Sequence, residues 1–240
     1  LGHTSPVVMK GLLIAVQDPY IRSEAVRALG QLGQVSPIVI EALLADMKDP
    51  SEFVREKAAV SLGQLGQTTP KVVEALLVAL KDTNDISLAA IDALGQLGQT
   101  APILEVEEAL LSALKDSDEY KRIAVALALG QLGQTTPAVE ALLANLKDSK
   151  WDIRRRATYA LGKLGQTTPM IIDALLATLT DPEKEVRAGA ARTLGQLKVG
   201  KATQLYQVLI DLNSLLYDSN NAVRLSAFAA SRTLIEGRPL

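Results

Sequence analysis

The sequence predicts an all-α solenoid, in which similar helix pairs stack one after another along the chain. The nine residues LGQLGQTTP at 62–70 return unchanged at 129–137, with near copies starting at Leu29, Leu94 and Leu161. Aromatic residues make up only 3% of the 240-residue chain, so its apolar content comes from Leu, Ala, Val and Ile. This composition suits helices that pack closely.

The copies are regularly spaced along the chain. They start at residues 29, 62, 94, 129 and 161, with gaps of 33, 32, 35 and 32 residues, and a degenerate copy begins at Leu194. A period in this range is typical of stacked-repeat proteins. We therefore predict one domain over residues 1–240, with a divergent, cap-like last repeat. The repeats should begin near residues 1, 32, 65, 97, 132, 164 and 197. The chain opens on Leu rather than Met, and we expect it to be a piece of something longer.

The first helix of each repeat follows the shared stretch. In TTPKVVEALLVALKD, Thr69 is a suitable N-cap and Pro70 fits the first helical position. Apolar residues at helical spacing continue to about Leu80, and turn residues at 82–84 then end the pattern. The pattern predicts a helix from Pro70 to about Leu80.

The second helix is clearest in SEFVREKAAVSLGQLG. An apolar stripe runs along it: Val54, Ala58, Leu62 and Leu65. Gly66 falls where a helix C-terminus favours a left-handed residue. Gly63 lies inside the helix, where glycine costs up to about 1 kcal/mol, and we attribute it to close approach of the neighbouring helix. The shared stretch is thus a joint that ends one helix and starts the next.

A proline near the start of the first helix, an aspartate at its end and a Val-Arg pair after it resemble the HEAT repeat. The short units and their ALGQLG endings are similar to the bacterial lyase-type HEAT repeats. The LGQTTP joints are also similar to HEAT arrays that follow nucleotide-binding signalling domains in cyanobacterial proteins. The resemblance covers nearly the whole chain and implies a right-handed α-solenoid of about seven HEAT-like helix pairs, with the second helices on the concave side.

The resemblance also implies a ladder of Asp-Arg pairs between repeats. The six-residue spacing holds in five repeats: Asp49 and Arg55, Asp116 and Arg122, Asp148 and Arg154, Asp181 and Arg187, Asp218 and Arg224. Two repeats depart, because Arg22 follows Asp18 by only four residues and Ser87 occupies the arginine position. We interpret these residues as structural, since a planar guanidinium satisfies several acceptors at once.

Composition and motifs argue against several classes of function. The chain has no cysteine and a single histidine, His3, so it lacks the paired His-Glu iron ligands of a HEAT-type hydroxylase family. No GK[ST] sequence follows the glycines, which excludes a Walker-type loop. Acidic pairs such as Glu107-Glu108 and Asp118-Glu119 are interpreted as solvated surface. We expect no catalysis, no metal and no cofactor.

Targeting signals are also missing from the sequence. No apolar run reaches the roughly 18 residues that a membrane span needs, and no signal peptide is visible. We expect a cytoplasmic location.

Candidate binding residues occupy the variable positions of the second helices. With Leu62 as reference, the equivalents of residues 56, 57 and 60 should face outward on the concave side. The predicted partner-binding surface consists of Val60, Leu88, Asp92, Ile123, Leu127, Arg155, Arg156, Tyr159 and Arg192. Within it, Leu88, Ile123 and Leu127 predict an exposed apolar patch. The alternative is that these repeats tilt and bury the three side chains.

Charge is distributed unevenly along the chain. Residues 1–146 carry a net charge of −7, residues 147–201 carry +5, and residues 202–240 are neutral, for a total of −2. The segment KWDIRRRATYALGK at 150–163 holds the only tryptophan and three consecutive arginines. It could steer an acidic partner or a phosphate backbone. In the alternative interpretation, Arg154 belongs to the ladder and the other charges solvate a helix.

These observations predict a non-enzymatic scaffold that binds a protein or peptide, with an acidic segment, as a recognition part of a larger protein. One alternative is nucleic-acid or phosphate binding through residues 150–201, which the low aromatic content and the negative net charge disfavour. Another is bilin-lyase-like handling of a chromophore, for which the chain offers no catalytic motif.

Overall fold

The computed structural model describes residues 6–18, 20–22, 24–25, 28, 37–82, 84–100, 104–197, 199 and 202–236. These residues contain thirteen α-helices and no strand, which confirms the all-α solenoid class. The helices are α1 Pro6–Ala15, α2 Pro37–Asp46, α3 Glu52–Leu65, α4 Pro70–Ala79, α5 Asn84–Thr100, α6 Leu104–Ala113, α7 Glu119–Gln131, α8 Thr135–Asn145, α9 Trp151–Leu164, α10 Pro169–Thr178, α11 Lys184–Gln196, α12 Ala202–Ser214 and α13 Asn221–Glu236. A short 3₁₀ helix, Leu215–Tyr217, lies between α12 and α13.

After α1, helices that follow one another in the chain pack as pairs within each unit: α2–α3, α4–α5, α8–α9, α10–α11 and α12–α13. The second helices make the most extensive contacts with one another: α3 packs against α5, α9 against α11, and α11 against α13. Most of the second helix of the first repeat lies outside the described residues, as do His3 and the repeat copy at 29–36.

Contacts divide the chain into two compact units. The first unit consists of residues 1–115 with 131–133, and the second of residues 116–130 with 134–240. The first unit therefore contains α1 to α6, and the second contains α7, apart from its last residue, to α13. The single domain over residues 1–240 stays a prediction.

Each unit has its own core of aliphatic side chains. In the first unit, the apolar face of α4 is buried at Val72, Val73 and Leu76 and half-buried at Leu77 and at the C-cap residue Leu80. The stripe of α3 is buried at Ala58, Leu62 and Leu65, whereas Val54 is half-buried. The core of the second unit includes Leu129, Leu142, Ile153, Leu161 and Leu175.

The joints show both the predicted helix stop and one exception. Gly66, Gly133 and Gly165 have φ angles of 66°, 84° and 65°, in the left-handed region that terminates helices. Helix α5 instead continues through Gly98 to Thr100, so the stop predicted there is wrong. The spacing to the following copy is the longest, at 35 residues, and leaves extra residues for the helix to extend.

The start of α4 corrects a second expectation. Thr69 occupies the N-cap position with an extended backbone, and Pro70 begins the helix. The side chain of Thr69 forms no cap hydrogen bond, so the proline rather than the threonine hydroxyl marks this helix start.

The glycine inside the second helix permits close helix packing, as predicted. A Cβ atom at Gly63 would lie 2.7 Å from the Ala93 Cα of α5. A Cβ atom at Gly195 would lie 2.6 Å from the Ala230 Cα of α13. Both distances are shorter than any side chain tolerates, so only glycine lets the next second helix approach this closely.

Candidate functional site

The arginines of the ladder hold neighbouring repeats together within each unit. In the second unit, Arg154 Nε lies 2.7 Å from Asp181 Oδ2 and its Nη2 lies 2.9 Å from Asp181 Oδ1. Arg154 Nη1 also donates to the Asp148 carbonyl of its own repeat, at 2.9 Å. Arg187 repeats this arrangement with Asp218, at 2.7 and 3.0 Å. One guanidinium therefore joins its own repeat to the next, as the ladder interpretation requires.

The first unit contains the same contacts. Arg55 binds Asp82 through Nε and Nη2, at 2.9 and 3.1 Å, and donates to the Asp49 carbonyl. Arg22 differs, because its ion pair is with Asp46, three residues before the ladder aspartate Asp49. Its Nε donates to the Val16 carbonyl, six residues before it, so the contact within its own repeat is retained.

Two ladder positions lack the carboxylate contact. Ser87, in the arginine position, donates its hydroxyl to the Leu80 carbonyl at 3.0 Å. Arg122 donates to the carbonyls of Asp116 and Ser117, at 2.9 and 3.0 Å. In the described part of the second unit, no ion pair connects Arg122 to Asp148, the equivalent of Asp181. The ladder is therefore weaker at these two positions.

The electrostatics of the ladder carboxylates follow from these contacts. The hydrogen bond from Arg187 lowers the pKa of Asp218, against the opposing effect of burial. For Asp181, burial acts to raise the pKa, but the hydrogen bonds from Arg154 and the Glu183 N–H outweigh it, so the pKa is lowered. Both groups are thus held as carboxylates and serve structure rather than proton transfer.

The predicted site residues of the first unit are Val60, Leu88 and Asp92. Val60 and Leu88 are half-buried, so they offer little apolar surface to a partner. Asp92 is exposed, yet the protein around its carboxyl group desolvates it enough to raise its pKa. Nearby on α3, Lys57 and Glu56 form an ion pair at 3.0 Å.

The predicted apolar patch is wrong at Ile123. This side chain is only 6% exposed, and Leu127 one turn later is half-buried. An apolar side chain gains stability when its surface is removed from water, which favours the buried position of Ile123. Since Leu88 belongs to the first unit and Leu127 to the second, a surface that joins them stays a prediction.

The predicted basic residues are exposed and lie together on the second unit. Arg155, Arg156 and Tyr159 are exposed on α9, and Arg192 is exposed on α11. Trp151 and Lys163 of α9 are exposed beside them. We call these six residues the basic surface: Trp151, Arg155, Arg156, Tyr159, Lys163 and Arg192.

Aromatic rings position three of these cations. The Arg155 guanidinium lies 5.9 Å from the Trp151 ring centre, and Lys163 Nζ lies 5.4 Å from the Tyr159 ring centre. Arg156 lies 4.8 Å from the ring centre of Tyr120, on α7. Rings attract cations without neutralising them, so these charges remain available to an anion.

A polar network fixes Tyr120 in its place beneath Arg156. The Tyr120 hydroxyl donates to the Asp152 carboxylate of α9. This hydrogen bond raises the pKa of Tyr120 and lowers that of Asp152. A second link joins Lys150 Nζ to Glu119, at 3.3 Å. The position of Arg156 therefore depends on contacts between α7 and α9.

The remaining basic residue reaches the last helix pair. Arg192 Nη2 donates to the Ser226 hydroxyl of α13 at 3.4 Å. In the described residues, no carboxylate lies within ion-pair distance of Arg155, Lys163 or Arg192. Arg155, Lys163 and Arg192 therefore carry positive charges that form no ion pair within the described residues.

The sequence matches the family described as HEAT repeats over residues 9–95, 84–162 and 139–232. The chain belongs to the HEAT-repeat family. Among curated proteins, none matches its sequence.

Solved structures resemble this HEAT-repeat chain in fold. An engineered protein has a TM-score of 0.53 and 20% identity, and the match covers 82% of this chain and 99% of that one. A designed armadillo repeat protein has a TM-score of 0.52 and 16% identity, and the match covers 81% of this chain and 99% of that one. The complex of CpcE and CpcF of phycocyanin lyase from Nostoc sp. has a TM-score of 0.52 and 22% identity, and the match covers 98% of this chain and 96% of that one. At these identities the likeness concerns the fold alone.

The predicted partner-binding surface left out Trp151, Lys163 and Tyr120, although the first two lie in the segment 150–163 that stands out in the sequence. Trp151 precedes Arg155 by four residues, and Tyr159 precedes Lys163 by four, a spacing that brings side chains together on one helix face. That signal could have identified Trp151 and Lys163. Tyr120 lies one repeat earlier than Arg156, and no local pattern indicates its contact.

The described residues contain neither a metal-binding cluster nor a membrane-spanning helix. No group of three or more His, Cys, Asp or Glu side chains in this part of the chain could hold a metal ion. None of the described helices is long and apolar enough to cross a membrane.

Proposed function

We propose that this HEAT-repeat chain is a non-enzymatic scaffold that binds a protein or peptide with an acidic segment through the basic surface. The observation that carries the proposal is the uncompensated charge of Arg155, Lys163 and Arg192 on two adjacent second helices. The framework around them is repetitive, whereas these residues differ from repeat to repeat. Such variation on a constant scaffold is expected when the face recognises a specific partner.

Carboxylates fit this surface well. Arginine presents a planar fork that binds a carboxylate through two hydrogen bonds, and Arg155 and Arg156 are adjacent in sequence. The rings of Trp151 and Tyr120 hold the two guanidinium groups near them before a partner arrives. Less side-chain freedom is then lost on binding.

A nucleic-acid partner is the alternative class, and one observation favours it. Exposed Trp151 and Tyr159 alternate with cations along α9, and bases stack on such rings. The two classes differ in salt dependence, because contacts with several phosphates release counterions and give a steep loss of affinity with salt.

Fluorescence anisotropy with labelled peptides tests the proposal. We expect a Glu-rich peptide to bind and its Lys-rich counterpart not to bind, and the double variant R155E/R156E to lose most of the affinity. The matched control, K81E/K115E, introduces the same charge change on exposed lysines of the first unit. Tighter binding of single-stranded RNA than of the acidic peptide, or equal losses in both variants, would overturn the proposal.

The proposal also covers the context of the chain. We infer that it serves as the recognition segment of a larger cytoplasmic protein, in line with the resemblance of its joints to arrays in signalling NTPases. Expression of the full-length protein followed by fractionation and mass spectrometry tests this context independently of the binding surface.

A further inference from the structure

The last helix pair ends in an open apolar groove. The groove has a volume of about 710 Å³ and runs between α12 and α13. Apolar side chains line most of it: Tyr206, Leu209, Ile210, Leu216, Phe228 and Ile235. Phe228 is 58% exposed and Ile235 is 72% exposed, and contiguous apolar surface of this kind is typical of binding sites.

The groove differs from the surface on which one repeat packs against the next. The positions equivalent to Phe228 and Arg232 are Ala191 and Gly195 on α11, where the following helix comes within contact distance. Arg232 instead extends from α13 and forms an ion pair with Glu236, at 3.1 Å. A phenylalanine and an arginine would hold off a helix that approached in the same geometry. The groove is therefore not shaped as another repeat joint.

The groove is continuous with the basic surface. Ser226 of α13 accepts the hydrogen bond from Arg192, and its neighbour Leu225 is 60% exposed. Leu225 and Phe228 are three residues apart on one helix, so their side chains are neighbours. Leu225 thus connects the positive charge of α9 and α11 to the apolar lining of the groove.

We propose that this groove seats a large apolar side chain of the same acidic peptide that binds the basic surface. The inference rests on the proposed function and specifies its partner. Carboxylates of the peptide pair with Arg155, Arg156 and Arg192, and a Leu, Phe or Trp side chain enters beside Phe228. The groove on α13 would supply the apolar contact that the sequence predicts at the patch containing Ile123, which is buried.

The spacing within the peptide follows from helix packing. Adjacent helices pack roughly 8–10 Å apart, so α9 and α13, with α11 between them, are separated by about 16–20 Å. An extended peptide spans about 3.3–3.6 Å per residue. The apolar residue should therefore lie about five or six residues from the first acidic residue, in one chain direction or the other.

Anisotropy with three matched peptides tests the inference on the intact chain. The first contains acidic residues only, the second adds a Leu about six residues from the first Glu, and the third places that Leu directly beside it. Both chain directions of the second peptide are included. We expect the second peptide, in one direction, to bind about tenfold more tightly than the other two, as burial of one apolar side chain allows.

Surface variants locate the added affinity. F228S and I235S should abolish the tenfold gain and leave the affinity for the acidic-only peptide unchanged. M170S, at an exposed apolar residue of α10, is the matched control and should retain the gain. Circular dichroism and sedimentation velocity accompany each variant.

The outcomes separate the two proposals. If the acidic-only peptide binds and the added Leu contributes nothing in either direction, the groove inference fails and the proposed function stands. If no acidic peptide binds, the proposed function fails first. A dimer of the wild-type chain that F228S converts to monomer would assign the groove to a second copy and overturn the inference.

Discussion

Arg154 and Asp181 form a two-point ion pair between successive repeats, with N–O distances of 2.7 and 2.9 Å. Arg122 occupies the same helix position one repeat earlier and makes the same carbonyl contacts, but in the described residues it has no carboxylate partner in the next repeat. The two arginines therefore isolate the contribution of the ion pair to stability.

We predict that R154A lowers the free energy of unfolding by about 2 kcal/mol, and R122A by about 1 kcal/mol. The larger loss arises because R154A leaves the mostly buried Asp181 carboxylate without its partner. Urea unfolding followed by circular dichroism measures both variants. Equal losses, or unchanged stability in both, would contradict the ladder assignment.

Acid should weaken the ladder. The pKa values of Asp181 and Asp218 lie below their ordinary value of 3.8, so folding favours the ionised form of each. Their stabilisation is complete above pH 3.8 and is lost as the pH falls through the folded-state values. We expect the melting temperature to fall in that range, and to fall less steeply in the double variant R154A/R187A. If the melting temperatures of the wild type and the double variant fall equally with pH, the ion pairs contribute nothing to the pH dependence of stability.

Asp92 should affect the pH dependence of stability in the opposite direction. Desolvation raises its pKa above 3.8, so ionisation of this carboxyl group opposes folding at neutral pH. We predict that D92N melts at a higher temperature than the wild type at neutral pH, and that the difference disappears below pH 3.8. D173N, at an exposed aspartate of α10, serves as the control. A lower melting temperature for D92N would refute this prediction.

Substitution of the glycines inside the second helices should destabilise the protein. In G195A, the added methyl group would lie 2.6 Å from the Ala230 Cα, and the backbone of α13 would have to shift. We expect a loss of about 1–3 kcal/mol, as for other overpacked contacts. Gly11 of α1 is the matched control, because a Cβ atom there meets nothing within 4 Å and alanine favours the helix. Thermal unfolding should therefore show G195A destabilised and G11A unchanged or stabilised.

A charged residue in place of Ile123 should impair folding rather than partner binding. Because this side chain is buried, I123D places a carboxylate in the core, and we expect a loss of several kcal/mol and of helical circular dichroism. Val60 is half-buried in the first unit, so V60D should be tolerated better. A well-folded I123D protein that fails to bind its partner would instead return Ile123 to the binding surface.

The local sequence pattern predicts most of the fold. Helix bounds near Pro70, the left-handed stop at Gly66 and the packing role of Gly63 all follow from residue types at fixed positions in the repeat. The ladder contact between Arg55 and Asp82 agrees with what the resemblance to the HEAT repeat implies. The exposed residues Arg155 and Tyr159 were also placed correctly, because a charged side chain or a tyrosine beside a regular apolar stripe keeps its polar end in water.

The sequence by itself therefore determined the all-α repeat fold and most of its joints, since these depend on contacts that recur with the same period, and its resemblance to the HEAT repeat implied the ladder. Only the tertiary structure decided that Ile123 is buried, that α5 continues past Gly98, and that Tyr120 lies against Arg156. The reason is physical: burial and cross-helix contact depend on how each helix is rotated against its neighbour and on the size of the side chains there. A pattern read along one helix contains no information about the space that the next helix leaves open.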